Sequence, residues 1–430
     1  MYNNPTIFGS MGLGVKDSRE DNPLPMKGYT ATLANGEAVH YVDRKRWFWL
    51  MSVFFPLQPL ISLWLHAKTG NEAWLFLGFL TFYVVAPAID LVLGVDRNNP
   101  PEELVMQLDQ DVYYRRLTYA AIPMHYITLI VCAWYASTQD VSAIGFLGIA
   151  LIAGLTAGLA INTGHELGHK NSKLEKLLSK LVLAVPAYGH FSIDHNRGHH
   201  SEVSTPEDCS SARMGESIYQ FALRDIPGAF IRAWRYEKVR LNNRGKPALH
   251  PNNQMLQSHA LSLTIAVVLT MVFGWGMLVF LPIHHLFAYW QLTSANYVEH
   301  YGLLRLKDEH GKYEHCKPHH SWNSNHIFSN LVLFHLERHS DHHTHPLRRY
   351  QSLRHFDDLP QLPNGYFGVY LLAYVPPLWF RFMDKRLLEL NHVQGDLDKV
   401  NVSPGARAAL FLKYGRDKMR EPTIRDLKTL

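Results

Sequence analysis

Nine histidines in this sequence are spaced so that they could bind metal ions together. They fall into four short motifs, HELGH, DHNRGHH, NYVEHYG and HSDHH. On a helix, side chains at positions i and i+4 lie on one face, so both imidazoles of such a pair can address one ion. A histidine that directly follows points about 100° away, which suits a second ion nearby. The candidate ligands are His165, His169, His195, His199, His200, His300, His339, His342 and His343.

Nine ligands exceed what one metal ion accepts, so two ions with four or five nitrogens each are the simplest division. Imidazole without thiolate suits iron, copper or zinc. The three cysteines, Cys132, Cys209 and Cys316, are too widely spaced to form a CxxC metal or redox site. The alternative interpretation is that the four motifs are solvated or helix-capping histidines with no metal.

Four carboxylates stand next to these ligands. Metal-binding histidines usually donate their second ring N–H to a carboxylate or a carbonyl, so we expect these side chains to orient the imidazoles. The alternative is ordinary surface charge. A further motif, HCKPHH, repeats the spacing at His319 and His320, but Pro318 would break the helical register, so we predict no ligands there. The four carboxylates are Glu166, Asp194, Glu299 and Asp341.

Long apolar stretches must position these motifs. A membrane-spanning helix needs about 20 residues without charge. The fifth stretch is 40 residues long, too long for one span, so we divide it at the FGWG motif and predict six transmembrane helices. A large soluble helical core is the alternative. The stretches are residues 47–65, 73–89, 117–135, 141–164 and 259–298.

Lysine and arginine predict the orientation of these helices. They concentrate in the N-terminal RKR, in the connection after the second span and in the segment between the fourth and fifth spans, which therefore face the cytoplasm. All four histidine motifs then meet at the cytoplasmic membrane face. The net charge of +5 is too small to indicate nucleic-acid binding. The fold class is all-α and polytopic: a cytoplasmic arm at 1–46, spans one to four at 47–163, a cytoplasmic histidine segment at 164–258, spans five and six at 259–298, and a cytoplasmic histidine and C-terminal segment at 299–430.

Two other functions use some of the same residues. HELGH matches the HExxH signature of zinc proteases, in which the glutamate is the general base. That function needs only three ligands and leaves at least six histidines without a role. A metal transporter would place its ligands near the middle of the membrane rather than at one face.

The motifs NTGHELGHK, DHNRGHH, LTSANYVEHYG and LERHSDHHTHP resemble the four histidine boxes of the membrane-bound alkane 1-monooxygenases. The resemblance runs from about residue 47 to about residue 377. Histidine boxes also occur in fatty acyl desaturases and xylene monooxygenases, which stay as alternatives. Two positions depart from the family pattern, since Asp194 stands where glutamate is common and Glu337 where glutamine is common.

The resemblance implies a multi-pass protein of the bacterial inner membrane with a non-haem centre of two iron ions. It implies that O2 supplies one oxygen atom to the terminal methyl of a medium-chain n-alkane, giving a 1-alcohol. No dinucleotide-binding fingerprint or cysteine quartet is present in this chain, so a separate electron donor is required. The family suggests rubredoxin with its reductase.

Two further predictions concern the donor and the substrate. Rubredoxin is small and acidic, so a basic segment could steer it, although an ordinary positive-inside bias explains the same charges. Trp64, near the outer end of the first span, could limit alkane length, or it could be an interfacial belt residue. The basic segment contains Arg232, Arg235, Lys238 and Arg240, followed by Arg244 and Lys246.

Overall fold

The computed structural model describes residues 27–415 of the chain. This part is mostly helical, and its only sheet is an antiparallel hairpin of β1, Gly28–Thr32, and β2, Ala38–Val42. The all-α prediction is confirmed apart from this hairpin, which lies in the predicted N-terminal arm. The predicted segments 1–46 and 299–430 extend beyond the described residues, at 1–26 and 416–430.

Four apolar helices follow the hairpin and coincide with the first four predicted spans. Each is long and apolar enough to cross a membrane, and a fifth such helix, Gln254–Phe273, occurs later in the chain. These five helices confirm the prediction of a polytopic membrane protein by their length and composition. The four helices are α1, Leu50–Thr69, α2, Glu72–Leu93, α3, Val112–Thr138, and α4, Ala143–Gly168.

The segment between the fourth and fifth spans is also helical. An amphipathic helix, α5, Lys173–Ala184, packs on α4. After a short histidine-rich helical segment comes α6, Ile218–Asn242, which Ser217 begins with a capping box. Ser217 accepts from the N–H of Gln220 and the Gln220 side chain accepts from Ser217, which satisfies two backbone donors at the helix start.

The long apolar stretch is divided where the FGWG motif predicts it. Helix α7, Gln254–Phe273, ends at Gly274, whose φ of +85° is the left-handed conformation that favours glycine. Helix α8, Met277–His300, then runs back toward the histidines. Its C-terminal half is polar, and α8 is not among the five helices that meet the length and hydropathy requirement, so the count of six spans stays a prediction.

Helices α4 and α8 form the centre of the bundle. They approach so closely that a Cβ atom at Gly154 would lie 2.6 Å from the carbonyl oxygen of His284, and one at Gly158 would lie 2.6 Å from Cβ of Gln291. Larger residues at these positions would push the helices apart. Helix α4 is buried over most of its length, whereas α7 exposes apolar side chains over most of its surface, as expected of a lipid-facing helix.

The C-terminal third closes the bundle beside α8. A short helix, α9, His339–Thr344, carries three of the histidines. Helices α10, Tyr366–Ala373, and α11, Pro376–Leu388, are too short to cross a membrane, and their aromatic side chains pack into the largest apolar core. The remaining short α-helices are Val105–Gln110, Phe191–Asp194, His200–Glu202, Ile327–Val332 and Arg407–Tyr414.

Candidate metal centre

The structure brings all nine predicted histidines together in two adjacent groups. Within each group the candidate ligand atoms lie within 4.8 Å of one another. The groups are in contact, since the rings of His200 and His343 are 4.4 Å apart between centroids. The five-histidine group is His165, His169, His195, His200 and His342, and the four-histidine group is His199, His300, His339 and His343.

Helical geometry explains this division, with one exception. His165 and His169 share a group, as the i, i+4 spacing predicts, and so do His339 and His343. His195 and His199 do not, because the residues from His195 to His199 form a turn of π-helix. The wider π turn brings His195 to His200 instead, with 3.1 Å between their Nε2 atoms.

The spacing of the ring nitrogens fits metal ions. In the five-histidine group, Nε2 of His342 lies 2.9 Å from Nε2 of His165 and 3.2 Å from Nε2 of His200. Two nitrogens that bind one ion at about 2.0–2.1 Å and at right angles lie about 3 Å apart. A neutral imidazole has one N–H, so an unbroken series of such contacts cannot be made of hydrogen bonds alone.

The four-histidine group has the same pattern. Nε2 of His339 lies 3.2 Å from Nε2 of His300 and 2.9 Å from Nε2 of His343. Nε2 of His199, like Nε2 of His169 in the other group, is buried and has no hydrogen-bond partner. The donor set therefore fits metal ions that bind imidazole, such as iron, copper or zinc.

Burial keeps these imidazoles in the form that binds metal. It lowers the pKa of His195, His200 and His342 well below the ordinary histidine value, and neighbouring imidazoles lower the same pKa values further. A histidine must be neutral to offer its lone pair to a metal ion. These three imidazoles are thus neutral and able to bind metal at neutral pH.

The outer partner of His199 is a carboxylate that the sequence analysis missed. Asp208 accepts a hydrogen bond from Nδ1 of His199 at 2.8 Å, which leaves Nε2 free for a metal ion. Burial opposes ionisation of Asp208, but His199 and Arg232 outweigh it and hold the pKa of this carboxyl well below its usual value. Asp208 lies eight residues beyond the nearest histidine motif, so adjacency to a motif could not identify it.

The four carboxylates singled out from the sequence have different partners. Glu166 pairs with Lys170 at 3.1 Å, Asp194 pairs with Arg232, and Asp341 pairs with Arg348. These three ion pairs hold the surrounding segments together rather than contacting a histidine of the two groups. The Glu166 pairing also differs from the role of general base that a zinc protease would give it.

Glu299 is the carboxylate of the four that lies at the metal centre. Its Oε2 atom is 3.4 Å from Nε2 of His339, on the side of the ring that faces the other ligands. Its Oε1 atom is buried without a hydrogen-bond partner. Glu299 therefore lies beside the ligand nitrogens rather than behind an imidazole.

Replacing Asp208 with asparagine is expected to lower metal affinity about 10- to 100-fold, because outer partners of metal-binding histidines contribute that much. The side chain keeps its size but loses the charge that orients His199. The bound metal retained against a chelator titration measures the effect. Glu207→Gln is the matched control, since that neighbouring side chain is half exposed. Equal metal retention in both variants would mean that Asp208 serves only the fold.

Residues of the HCKPHH motif lie outside both histidine groups. Pro318–His320 is a turn of 3-10 helix, and its histidines form a separate group with Glu314. The backbone N–H of Lys317 donates to Nδ1 of His320 at 3.0 Å, so the neutral ring carries its proton on Nε2, where a metal would need a lone pair. The carbonyl of His320 lies 3.4 Å from Nδ1 of His300 and can orient that ring.

An apolar cavity between α4 and α8 ends at the histidines. His165, His195 and His339 line its inner end. Two polar side chains of the wall have partners: Asn162 donates to the carbonyl of Leu333, and the Gln291 oxygen accepts from Tyr83. The amide nitrogen of Gln291 and Oε1 of Glu299, which also lines the cavity, have no hydrogen-bond partner. The apolar part of the wall is formed by Phe82, Leu155, Leu159, Ile161, Phe191, Leu292, Ala295, Leu333, Leu336 and Phe367.

The predicted substrate-channel and docking residues take different positions. Trp64 is 58 % exposed on α1 and is not part of the cavity wall described above, so its role in substrate length stays a prediction. Arg232 is inside the protein, paired with Asp194, Glu202 and Asp208. The Arg232 side chain is therefore not free to dock a partner.

The other basic residues of the predicted docking segment are either held by an ion pair or exposed. Arg240 is engaged by Glu237, with which it forms a two-point ion pair. Arg235 and Lys238 are exposed on α6. Arg244, just after α6, is exposed as well, so these three basic residues keep their charges available to a protein partner.

Comparison with known proteins shows which family and which relatives this chain is similar to. The family model "Fatty acid desaturase" matches residues 142–381. Alkane 1-monooxygenase 1 of Alcanivorax borkumensis is 53 % identical, over 87 % of this chain and 92 % of the relative. Alkane 1-monooxygenase of Ectopseudomonas oleovorans is 52 % identical, over 88 % and 94 %. The hydroxylase component of xylene/toluene monooxygenase of Pseudomonas putida is 26 % identical, over 60 % and 67 %.

Proposed function

This chain belongs to the alkane 1-monooxygenase family, and from that premise we propose that it hydroxylates the terminal methyl group of medium-chain n-alkanes to give 1-alcohols. O2 is the oxygen source, and rubredoxin with its reductase supplies the electrons. The observation that carries the proposal is the apolar cavity whose inner end is lined by histidines of both groups.

The two histidine groups would hold one iron ion each, with five imidazoles on one and four on the other. Bound iron supplies the redox chemistry that activates O2. Within the protein, Asp208 fixes the tautomer of His199, and the carbonyl of His320 orients His300. These contacts keep each Nε2 atom directed into the cluster.

The cavity explains how a substrate without polar groups is oriented. An alkane offers no hydrogen-bonding handle, so shape and apolar contact must direct its methyl group toward the histidines. Among the polar atoms of the wall, the amide nitrogen of Gln291 and Oε1 of Glu299 have no hydrogen-bond partner. The rest of the wall is mostly apolar, which disfavours water beside the substrate. Exclusion of water also protects the reaction from side chemistry.

The proposal places the chain in a bacterial inner membrane with the metal centre at the cytoplasmic face. The lysine and arginine bias supports this orientation, and the exposed apolar surface of α7 supports contact with lipid. The alkane partitions into the same lipid and could enter the bundle laterally. In this proposal the chain crosses the membrane as the five predicted segments describe, from the cytoplasmic arm at 1–46 to the cytoplasmic C-terminal segment at 299–430.

Product analysis tests the function directly. The purified protein in lipid nanodiscs is supplied with n-octane, reduced rubredoxin and 18O2. We expect 1-octanol that carries one labelled oxygen atom. Octene as the main product would indicate a desaturase, and unlabelled or internal alcohols would contradict terminal hydroxylation from O2.

Reversing the charges of Arg235 and Lys238 together is expected to slow reduction by rubredoxin and to weaken its dependence on ionic strength. Steering between opposite charges raises association rates at low salt and fades as salt screens it. Stopped-flow oxidation of reduced rubredoxin measures both effects. Reversal of Lys385 and Arg386, an exposed pair on α11, changes the net charge equally and is the control. An unchanged salt dependence for Arg235 and Lys238 would place the donor elsewhere.

A further inference from the structure

A cleft at the surface of the bundle lies where α1 begins and α2 ends. Residues of the short helix Ile327–Val332 complete its lining. The cleft has a volume of about 760 Å³, within the range of about 300–1,000 Å³ that small-ligand sites occupy. It is separate from the metal centre and from the apolar cavity, because it shares no lining residue with either.

One part of this cleft is apolar and open to the surroundings. Its apolar lining includes Phe48, Met51, Ile89, Leu93, Phe328 and Leu331. Phe48, two residues before α1, is 60 % exposed, and Leu93, the last residue of α2, is 51 % exposed. The neighbouring Leu91 and Val92 are exposed as well. This part of the cleft therefore continues into the apolar surface that a membrane-spanning α2 presents to lipid.

The other part of the cleft is basic. Arg44 and Arg97 are exposed in its lining, and neither pairs with a carboxylate of residues 27–415. The carboxylate in the lining, Asp96, is already neutralised, since it pairs with Lys45 and lies 2.7 Å from a guanidinium nitrogen of Arg338. Two guanidinium groups thus remain free for an anion.

The position of the cleft along the bundle places it at a membrane surface. Two spans end beside it, and Trp47 is exposed directly before Phe48, as is typical of tryptophan at the level of the lipid headgroups. The histidines lie at the same end of the bundle, since Asp96 pairs with Arg338, the residue before His339. In the proposed orientation this is the cytoplasmic surface.

We propose that this cleft binds an anionic phospholipid of the surrounding bilayer. The headgroup phosphate lies between Arg44 and Arg97, because guanidinium groups donate two parallel hydrogen bonds to phosphate oxygens. The acyl chains pack along Phe48 and Leu93 toward the hydrocarbon region. Basic pockets between transmembrane helices at the cytoplasmic side are typical sites for anionic headgroups. The Asp96 ion pairs hold the floor of this site in place before the lipid binds.

Lipid retained by the full-length protein tests the site. The protein is purified in detergent and titrated with phosphatidylglycerol, and native mass spectrometry counts the bound lipid. We expect Arg44→Gln combined with Arg97→Gln to lower the affinity about tenfold or more, because the variant loses both charges that attract the headgroup. Arg116→Gln combined with Arg244→Gln is the matched control, since both arginines are exposed, lie outside the cleft and carry the same total charge.

Two further ligands identify what the cleft recognises. Phosphatidylcholine has the same phosphate and acyl chains without a net charge, so it should bind about tenfold or more weakly than phosphatidylglycerol. Inorganic phosphate at the same concentration should not displace the lipid, because it lacks the acyl chains. Phosphatidylglycerol should also raise the Tm of the parent more than that of the Arg44 and Arg97 variant, since a ligand of the folded state stabilises it.

Three results would overturn the proposal. They are equal binding of phosphatidylglycerol by the two double variants, equal affinity of the parent for the two lipids, and displacement of the lipid by inorganic phosphate, which would make a free anion the ligand. Because lipid binding is measured without turnover, none of these results bears on the proposed hydroxylation.

Discussion

Replacing His300 with alanine is expected to remove the iron held by the four-histidine group and to abolish alkane hydroxylation. His300 is fully buried at the end of α8, and its Nε2 atom lies 3.2 Å from Nε2 of His339. Without it the group keeps three imidazoles and gains an unfilled space. Changes to outer partners of metal ligands already cost about 10- to 100-fold, so the loss of a ligand should exceed 100-fold in activity.

Iron per chain and octanol yield are measured together for this variant. His319→Ala is the matched control, because His319 is a partly buried histidine that lies outside both groups. It should keep both irons and most of the activity. A His300→Ala protein with full iron content and parental activity would contradict the grouping of these nine histidines.

Replacing Leu155 with tryptophan is expected to shorten the range of alkanes that the enzyme hydroxylates. Leu155 is buried in the cavity wall, ten residues before His165 on α4 and therefore about 15 Å from it along the helix axis. An indole there would occupy the space that the tail of a long substrate needs. Forcing atoms into filled space costs about 1–3 kcal/mol, so the longest substrates should lose about tenfold or more in yield while the shortest are retained.

Yields of 1-alcohol across a homologous series of n-alkanes measure this change. Leu147→Trp is the matched control, since this side chain is exposed on the same helix and is not part of the cavity wall. A Leu155→Trp profile with the parental length limit would mean that substrates do not extend along α4. In the same series, a longer limit for Trp64→Ser would assign the exposed Trp64 to a channel, and an unchanged limit would assign it to the lipid belt.

Histidine spacing predicted which of these histidines lie together in most cases, because regular helices determine most of the arrangement. His165 with His169, and His339 with His343, follow the i, i+4 rule, and each directly following histidine lies in the other group. His195 and His199 break the rule because their turn is a π-helix. Nothing in the local sequence distinguishes that turn from an ordinary helical one, since packing of the two groups on each other determines it.

Contacts between segments that lie far apart in the sequence could not be predicted from the sequence. Asp208 is next to no histidine motif, and only the fold brings it to His199. Arg232 belongs to a basic segment that is typical of a docking surface, yet three carboxylates from other segments surround it. The FGWG break between α7 and α8 was predictable, because helix length and the glycine conformation are local properties.

The departure of Glu337 from the glutamine usual in the family also has a structural basis. Its carboxyl is fully buried, where it accepts hydrogen bonds from the N–H of Tyr366 and from Asn330. Burial, together with the nearby Asp90 carboxyl, raises the pKa of Glu337 well above its usual value. Both carboxyl oxygens accept from N–H donors, whereas the nitrogen of a glutamine amide could only donate, so glutamate fits these two contacts.

The amount of iron bound per chain in the purified, active protein tests the central claim most directly. The two groups of five and four histidines predict two iron ions per chain, lost together with hydroxylation when a chelator removes them. A protein that is active with one zinc ion and no iron would contradict the claim and would favour a hydrolase built on HELGH.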